Sequence, residues 1–206
     1  MTLYDFCYLT WPPLFKLFLR LEIYGRENIP EEGPVVIASN HLSLLDPPVL
    51  GASATRKVHF MAKSELFKPA WFGALIRKLG AFPVKRGEMD REAIKTGLTL
   101  LKENKVLAVF PEGTRSKTGE LGRAGGGAFM MGIKRKAQIV PAYIYGTDFS
   151  RHKGWPKVRV IFGKPMEYDP NMGTGRESLD ELGARWREEV LILRKAVALE
   201  DESHSS

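Results

Sequence analysis

Two residues able to exchange a proton, His41 and Asp46, are separated by four residues in Asn40-His41-Leu42-Ser43-Leu44-Leu45-Asp46, directly after the apolar run Val35-Val36-Ile37-Ala38. A neutral imidazole accepts a proton near pH 7, and a carboxylate on its other nitrogen fixes the tautomer and stabilises the imidazolium that forms. This is a general base with its orienter, and the nucleophile has to come from elsewhere in the chain or from a substrate. Asp46 has a second reading, because aspartate before proline is a common helix cap. Pro47 and Pro48 carry no N–H, however, so Val49 is the first residue of that turn able to donate to the carboxylate, and one oxygen is left for His41. His41 alone would also fit a satisfied buried histidine; with no second His or Cys at ligand spacing, no metal is expected.

Groups suited to an anion lie further on. In Gly80-Ala81-Phe82-Pro83-Val84-Lys85-Arg86-Gly87, two adjacent cations follow a short apolar run, and they share a crevice with His41 if the two strands are parallel. Phe110-Pro111-Glu112-Gly113-Thr114-Arg115-Ser116 offers backbone N–H groups, a hydroxyl and a guanidinium, a set that suits a phosphate monoester. Lys63, just past another apolar run, is a further candidate cation, and Gly125-Gly126-Gly127 could open a helix close to an anion. The bland alternatives are a solvated turn for Lys85-Arg86 and a polar turn with an internal Glu112–Arg115 pair. Pro141, inside the apolar run Ile139 to Ile144, marks a bulge or an edge strand.

The elements that must position these groups alternate between β-rich and helical runs punctuated by Gly and Pro, the pattern of an α/β domain with a largely parallel or mixed central sheet flanked by helices. Strands are expected at 21–24, 35–39, 58–61, 81–84, 106–110, 138–145 and 158–162, about seven in all, with helices at 47–54, 69–79, 88–103, 127–136 and 176–199. Near-continuous apolar strands such as Leu107-Ala108-Val109-Phe110 imply burial on both faces, and in such sheets sites gather at the carboxyl ends of strands. The 206 residues suit one domain, expected over 21–199, with 200–206 a disordered tail. The single Cys7 excludes an intramolecular disulfide and a cysteine-rich zinc site.

Residues 1–20 are rich in aromatic and aliphatic side chains, but Asp5, Lys16 and Arg20 interrupt them and no run reaches the roughly 18 to 20 residues needed to span a bilayer. Pro12-Pro13 should break or restart a helix, giving a short one over Leu14 to Leu19 capped by Thr10. Such a segment lies either on the domain core or in a membrane interface, with Tyr4, Tyr8 and Trp11 at headgroup level. The net charge of +7 and the pI near 9.5 favour anionic partners. The cations sit singly at strand ends rather than in a stripe with stacking aromatics, which argues against nucleic acid and leaves lipid headgroups or a phosphorylated substrate.

Taken in order, the motifs are specific. Asn40-His41 to Asp46, Gly80 to Gly87, Phe110 to Ser116 and Val140-Pro141 resemble the four blocks of the glycerolipid acyltransferase family, in its order and spacing, and the likeness runs from about Gly25 to Gly163. The resemblance is strongest to bacterial 1-acyl-sn-glycerol-3-phosphate acyltransferases. It implies that the nucleophile is the sn-2 hydroxyl of lysophosphatidic acid, that His41 takes its proton while Asp46 orients the ring, and that the acyl group comes from acyl-CoA or acyl-ACP without an acyl-enzyme. The absence of a G-x-S-x-G elbow agrees. Arg115, with Lys85 or Arg86, would hold the phosphate, Glu112 and Gly113 would shape its site and Thr114 would assist. No cofactor is implied beyond the donor, and the expected setting is a peripheral enzyme on the cytoplasmic face of the cell membrane. Another lysophospholipid acceptor or a thioester hydrolase is the rival within this chemistry, and acyl-chain preference depends on where Trp71, Phe72 and Phe82 lie.

Overall fold

The computed structural model describes residues 2–85, 90–151 and 157–203. Seven strands, β1 Glu22–Tyr24, β2 Val35–Ser39, β3 Val58–Lys63, β4 Ala81–Val84, β5 Val106–Val109, β6 Gln138–Tyr145 and β7 Arg159–Phe162, form one mixed sheet in the order β1-β7-β6-β2-β5-β3-β4. Every neighbouring pair is parallel except β6 with β7. Strand β2 is central and buried at all five residues, as its unbroken apolar run requires.

Alternation along the strands divides the core into two layers. Val36, Ala38, Leu107, Val109 and Ile139 face one side, covered by α4 (Arg91–Lys102), α5 (Gly127–Arg135) and α6 (Arg176–Ser203) through residues such as Leu101, Phe129 and Trp186. Val35, Ile37, Val106, Ala108 and Val140 face the other, covered by Val49 and Leu50 of α2 (Asp46–Ser53) and Phe15 and Leu19 of α1 (Leu3–Leu19). Helix α3 (Ala70–Lys78) packs beside β4. The ends of β2, β3, β4, β5 and β6 that carry the motifs all open on one edge of the sheet, because these five strands run the same way.

The expected elements are present, with four differences. Helix α1 does not restart at Pro12-Pro13; it begins after Thr2, which forms a capping box with Asp5, and continues through both prolines. Proline's fixed φ suits a helix, so what is lost is the donor that the carbonyls of Tyr8 and Leu9 would have met. The rest of the helix is held by packing: the Tyr4 hydroxyl accepts the Val58 N–H at 2.9 Å, and the Tyr8 hydroxyl donates to the Ala54 carbonyl at 3.1 Å. Thr10 is therefore interior, its hydroxyl donating to the Phe6 carbonyl.

Helix α4 begins at Arg91, capped by the Asp90 carboxylate on the N–H groups of Glu92 and Ala93, whereas Glu88 lies outside the described residues. Helix α6 continues to Ser203, into the stretch expected to fray. Pro141 is in a central strand, not at an edge; its missing N–H is accommodated by a bulge in the partner. Between the pairs Ala142–Phe162 and Ile139–Met166, the segment after β7 has one residue more than β6, and Gly163 donates to the Pro141 carbonyl at 2.8 Å.

Candidate active site

Strand β2 ends in a buried polar segment. Asn40 uses both ends of its amide on the backbone of Ile144, donating to the carbonyl at 2.9 Å and accepting the N–H at 2.7 Å, so the exits of β2 and β6 are fastened together. His41 follows, 4% exposed, with its ring stacked on Phe110 at a centroid distance of 4.1 Å. Its Nδ1 lies 2.7 Å from Asp46 Oδ2.

Asp46 opens α2 without capping it, since Val49 donates to the Leu45 carbonyl and not to the carboxylate. The carboxylate instead gathers the loop before it: Oδ2 accepts the N–H groups of Leu42 at 2.6 Å and Ser43 at 2.8 Å, and Oδ1 accepts the Thr147 hydroxyl at 2.5 Å. The carboxylate accepts at every one of these contacts, and with His41 Nδ1 donating to it as well, Nε2 carries the lone pair. Nε2 has no partner among the described residues and is not sealed from solvent. The pair thus has the geometry that a general base and its orienter need, with the free nitrogen open to solvent. The Ser43 hydroxyl accepts the Leu45 N–H within the turn and makes no bond to His41 among the described residues.

The loop after β5 lies beside the His41 loop because β5 neighbours β2. The Glu112–Arg115 pair considered from the sequence does not form. Glu112 Oε1 accepts the His41 N–H at 2.9 Å and Oε2 the Gly122 N–H at 2.8 Å, while Ser116 donates its N–H to the His41 carbonyl at 2.8 Å. Glu112 therefore supports the base through its backbone. Gly113 makes the tight turn at φ +70°, and its N–H is taken by the Phe110 carbonyl at 2.9 Å, so it is not free for an anion. Thr114 and Arg115 are exposed, and Arg115 has no ion pair among the described residues. Gly125 donates its N–H to the Pro111 carbonyl, and Gly126 precedes α5, where a Cβ would press on Leu179 at 3.0 Å.

The other candidate cations share the sheet edge without meeting His41. Lys85 follows β4, which β5 and β3 separate from β2, an offset of about 14 Å at the usual strand spacing. Its N–H donates to Asp90 Oδ2 at 2.8 Å, and this bond, with those from Ala93 and Glu92, holds the Asp90 carboxyl below the usual carboxylate range. Lys63, at the end of β3, pairs with Glu65 at 3.2 Å. Arg86 lies outside the described residues. Among the described residues, no cluster of His, Cys, Asp and Glu could hold a metal ion.

An apolar cavity of about 400 Å³ is walled by α1, α2, α3, strand β3 and the start of β4, with Tyr8, Trp11, Leu44, Pro47, Phe72 and Leu79 in its lining. Leu44 and Pro47 belong to the segment that carries His41 and Asp46, so the cavity reaches that segment. Of the three aromatics expected to shape a tunnel, Phe72 lines it, Trp71 stands 74% exposed outside it, and Phe82 packs in the core on the opposite face of the sheet.

The profile of the acyltransferase family matches residues 20–145. A 1-acyl-sn-glycerol-3-phosphate acyltransferase of Bacillus subtilis is 35% identical over 169 residues, covering 80% of this chain and 82% of that protein. The chloroplastic 1-acyl-sn-glycerol-3-phosphate acyltransferase of Arabidopsis thaliana is 34% identical over 158 residues, 72% of this chain but 44% of that longer protein. The crystal structure of the 1-acyl-sn-glycerophosphate acyltransferase PlsC from Thermotoga maritima superposes with a TM-score of 0.70 at 28% identity, over 90% of this chain and 78% of that one. The chain belongs to the acyltransferase family that includes these enzymes.

Proposed function

We propose that the chain transfers an acyl group from acyl-CoA or acyl-ACP to the sn-2 hydroxyl of 1-acyl-sn-glycerol-3-phosphate, giving phosphatidic acid. The observation that carries this reading is a His41–Asp46 pair, 2.7 Å apart, with Nε2 unpartnered among the described residues, on a segment whose Leu44 and Pro47 line an apolar cavity of about 400 Å³. A cavity of that size falls in the range that holds small-molecule ligands, and its lining suits an alkyl chain. The names of the relatives support the acceptor.

In the reaction, Nε2 of His41 removes the hydroxyl proton as the oxygen attacks the thioester carbonyl. The C–O bond forms, the C–S bond breaks, and the proton passes from the imidazolium to the leaving thiolate. Asp46 stabilises the imidazolium between these steps. Arg115 holds the acceptor's phosphate with Lys85 or Arg86, Thr114 assists, and Lys63 lies further along the same edge. Arg115 suits the task because it is exposed, lacks an ion pair among the described residues and can bind two phosphate oxygens at once. Glu112 and Gly113 shape the site through the backbone.

The enzyme works at a membrane surface, on the cytoplasmic face, with α1 in the interface. No helix among the described residues is long and apolar enough to cross a bilayer. Yet α1 exposes Leu9 and Leu17 at 70% each and Phe18, near its end, at 54%, while Tyr4 and Cys7 are buried. That split fits a helix lying in the plane of the interface. Replacing Leu9, Leu17 and Phe18 by lysine should release the chain from anionic vesicles in cosedimentation, and undiminished binding would move the attachment elsewhere.

The decisive experiment supplies one labelled acyl thioester with a panel of lysophospholipid acceptors. Transfer should be greatest with 1-acyl-sn-glycerol-3-phosphate and nearly absent in His41→Ala with the fold intact. Thioester cleavage at full rate without acceptor would make the chain a hydrolase, and near-normal turnover in His41→Ala would end the base assignment.

A further inference from the structure

The family blocks supply a base and an orienter, but they leave unexplained a buried hydroxyl that touches the orienter. We infer that Thr147 is a positioning residue for the reaction, acting through Asp46; this rests on the reading of His41 as the base. Thr147 is 1% exposed, and its Oγ1 donates to Asp46 Oδ1 at 2.5 Å across 101 positions of sequence.

Three features of the backbone deliver it there. Strand β6 lies next to β2, so its exit opens beside the His41 loop. The two-way clamp of Asn40 on Ile144 fixes that exit three residues before Thr147. Between them Gly146 adopts φ +80°, and a Cβ there would sit 2.0 Å from the Lys157 carbonyl oxygen, so only glycine lets the chain turn here.

The chemical consequence follows from how the carboxylate is divided. Oδ2 serves His41 Nδ1 and the N–H groups of Leu42 and Ser43, whereas Thr147 is the donor found on Oδ1. Two anchored oxygens set the plane of the carboxylate, and the plane sets the direction from which His41 is held. Without the hydroxyl, Oδ1 is left in a site where Asp46 is 0% exposed, with its charge less stabilised and its rotation opposed from one side only. The fault appears when the imidazolium must form, not when substrates bind.

Thr147→Val keeps the shape and removes the donor. Its kcat should fall about 10- to 100-fold, the rate equivalent of one buried hydrogen bond to a charged group, while KM for both substrates stays within about twofold and Thr147→Ser recovers the rate. In an Asp46→Asn background the same change should cost less than about threefold, because the charge it serves is gone. A Thr147→Val enzyme with kcat within twofold of the unaltered chain would overturn the inference. If Thr147→Val does not fold, Thr147→Cys, a weaker donor of similar size, is held to the same criterion. A chain with no transfer to lysophosphatidic acid would overturn the proposed function instead; the inference is then read without substrate, from the proton resonance of His41 Nδ1. That resonance should shift in Thr147→Val and return in Thr147→Ser, and an unmoved signal refutes the role.

Discussion

The carboxylate of Glu112 accepts the backbone N–H of His41 at 2.9 Å, and its other oxygen accepts the N–H of Gly122 at 2.8 Å. The acid of the third motif thus props up the histidine of the first, and it ties both to the far end of its own loop. Glu112→Ala leaves two partly buried donors unpaired, a loss of about 1 to 3 kcal/mol each where water cannot substitute. Urea unfolding should show a destabilisation of that order, and kcat should fall more than the acceptor's KM rises. A variant in which only that KM changed would return Glu112 to direct contact with the substrate.

Arg115 offers the opposite test. It is exposed and holds nothing else in place among the described residues, so Arg115→Ala should leave thermal stability within about 0.5 kcal/mol. If its contact with the phosphate is equally strong in ground and transition states, the acceptor's KM rises and kcat is little changed. Arg115→Lys should recover only part of the affinity, since an ammonium cannot grip two phosphate oxygens in a planar fork. An unchanged acceptor dependence in Arg115→Ala would move the phosphate to other cations on the sheet edge.

Gly51 of α2 lines the apolar cavity, and a Cβ added there would meet only the Phe60 ring, at 3.5 Å and 3.6 Å. Alanine therefore fits, and in a helix it should stabilise the fold by about 0.5 to 1 kcal/mol. Leucine at the same position would extend into the space assigned to the acyl chain. Each methylene excluded from the cavity forfeits about 0.8 kcal/mol, a factor of about four in relative kcat/KM. A series of acyl thioesters should accordingly shift towards shorter chains in Gly51→Leu; a profile identical to the parent's would place the acyl chain elsewhere.

Much of this architecture could be read along the chain, and the failures have physical causes. Val35 to Ala38 and Val106 to Val109 are legible because strands buried on both faces are apolar at every position, and His41 and Asp46 because a turn of four residues brings them together. Thr147 was not legible. Its bond to Asp46 depends on β6 lying beside β2, a parallel pairing of residues 103 positions apart, and a lone threonine carries no mark of it. Phe110 was noticed as part of a motif, but its stacking on His41 follows from the neighbouring placement of β5 and β2. Helix α1 departs from its local pattern because local rules are outweighed there: two adjacent prolines ought to stop a helix, yet the tyrosines of its first two turns dock on β3 and the end of α2 and hold it in place.

The far side of the sheet carries a pH dependence separate from catalysis. Glu22 of β1 accepts from Arg159 of β7 at 2.8 Å and pairs with Lys157 at 3.1 Å, tying the edge strand to its neighbour. Burial pushes the Glu22 carboxyl up, but the bonds from Arg159 and Lys157 outweigh it and hold the folded pKa below the ordinary glutamate value. A group depressed in the folded state adds stability that is complete above its unfolded pKa and drains away as pH falls through the folded one. The contribution should therefore be present at neutral pH and decline on acidification below the ordinary glutamate range. In Glu22→Gln, unfolding at pH 7 should come at lower denaturant, and the gap to the unaltered chain should narrow as pH drops through that range. A gap that stayed constant across it would mean that the Glu22 carboxylate contributes by packing and not by charge.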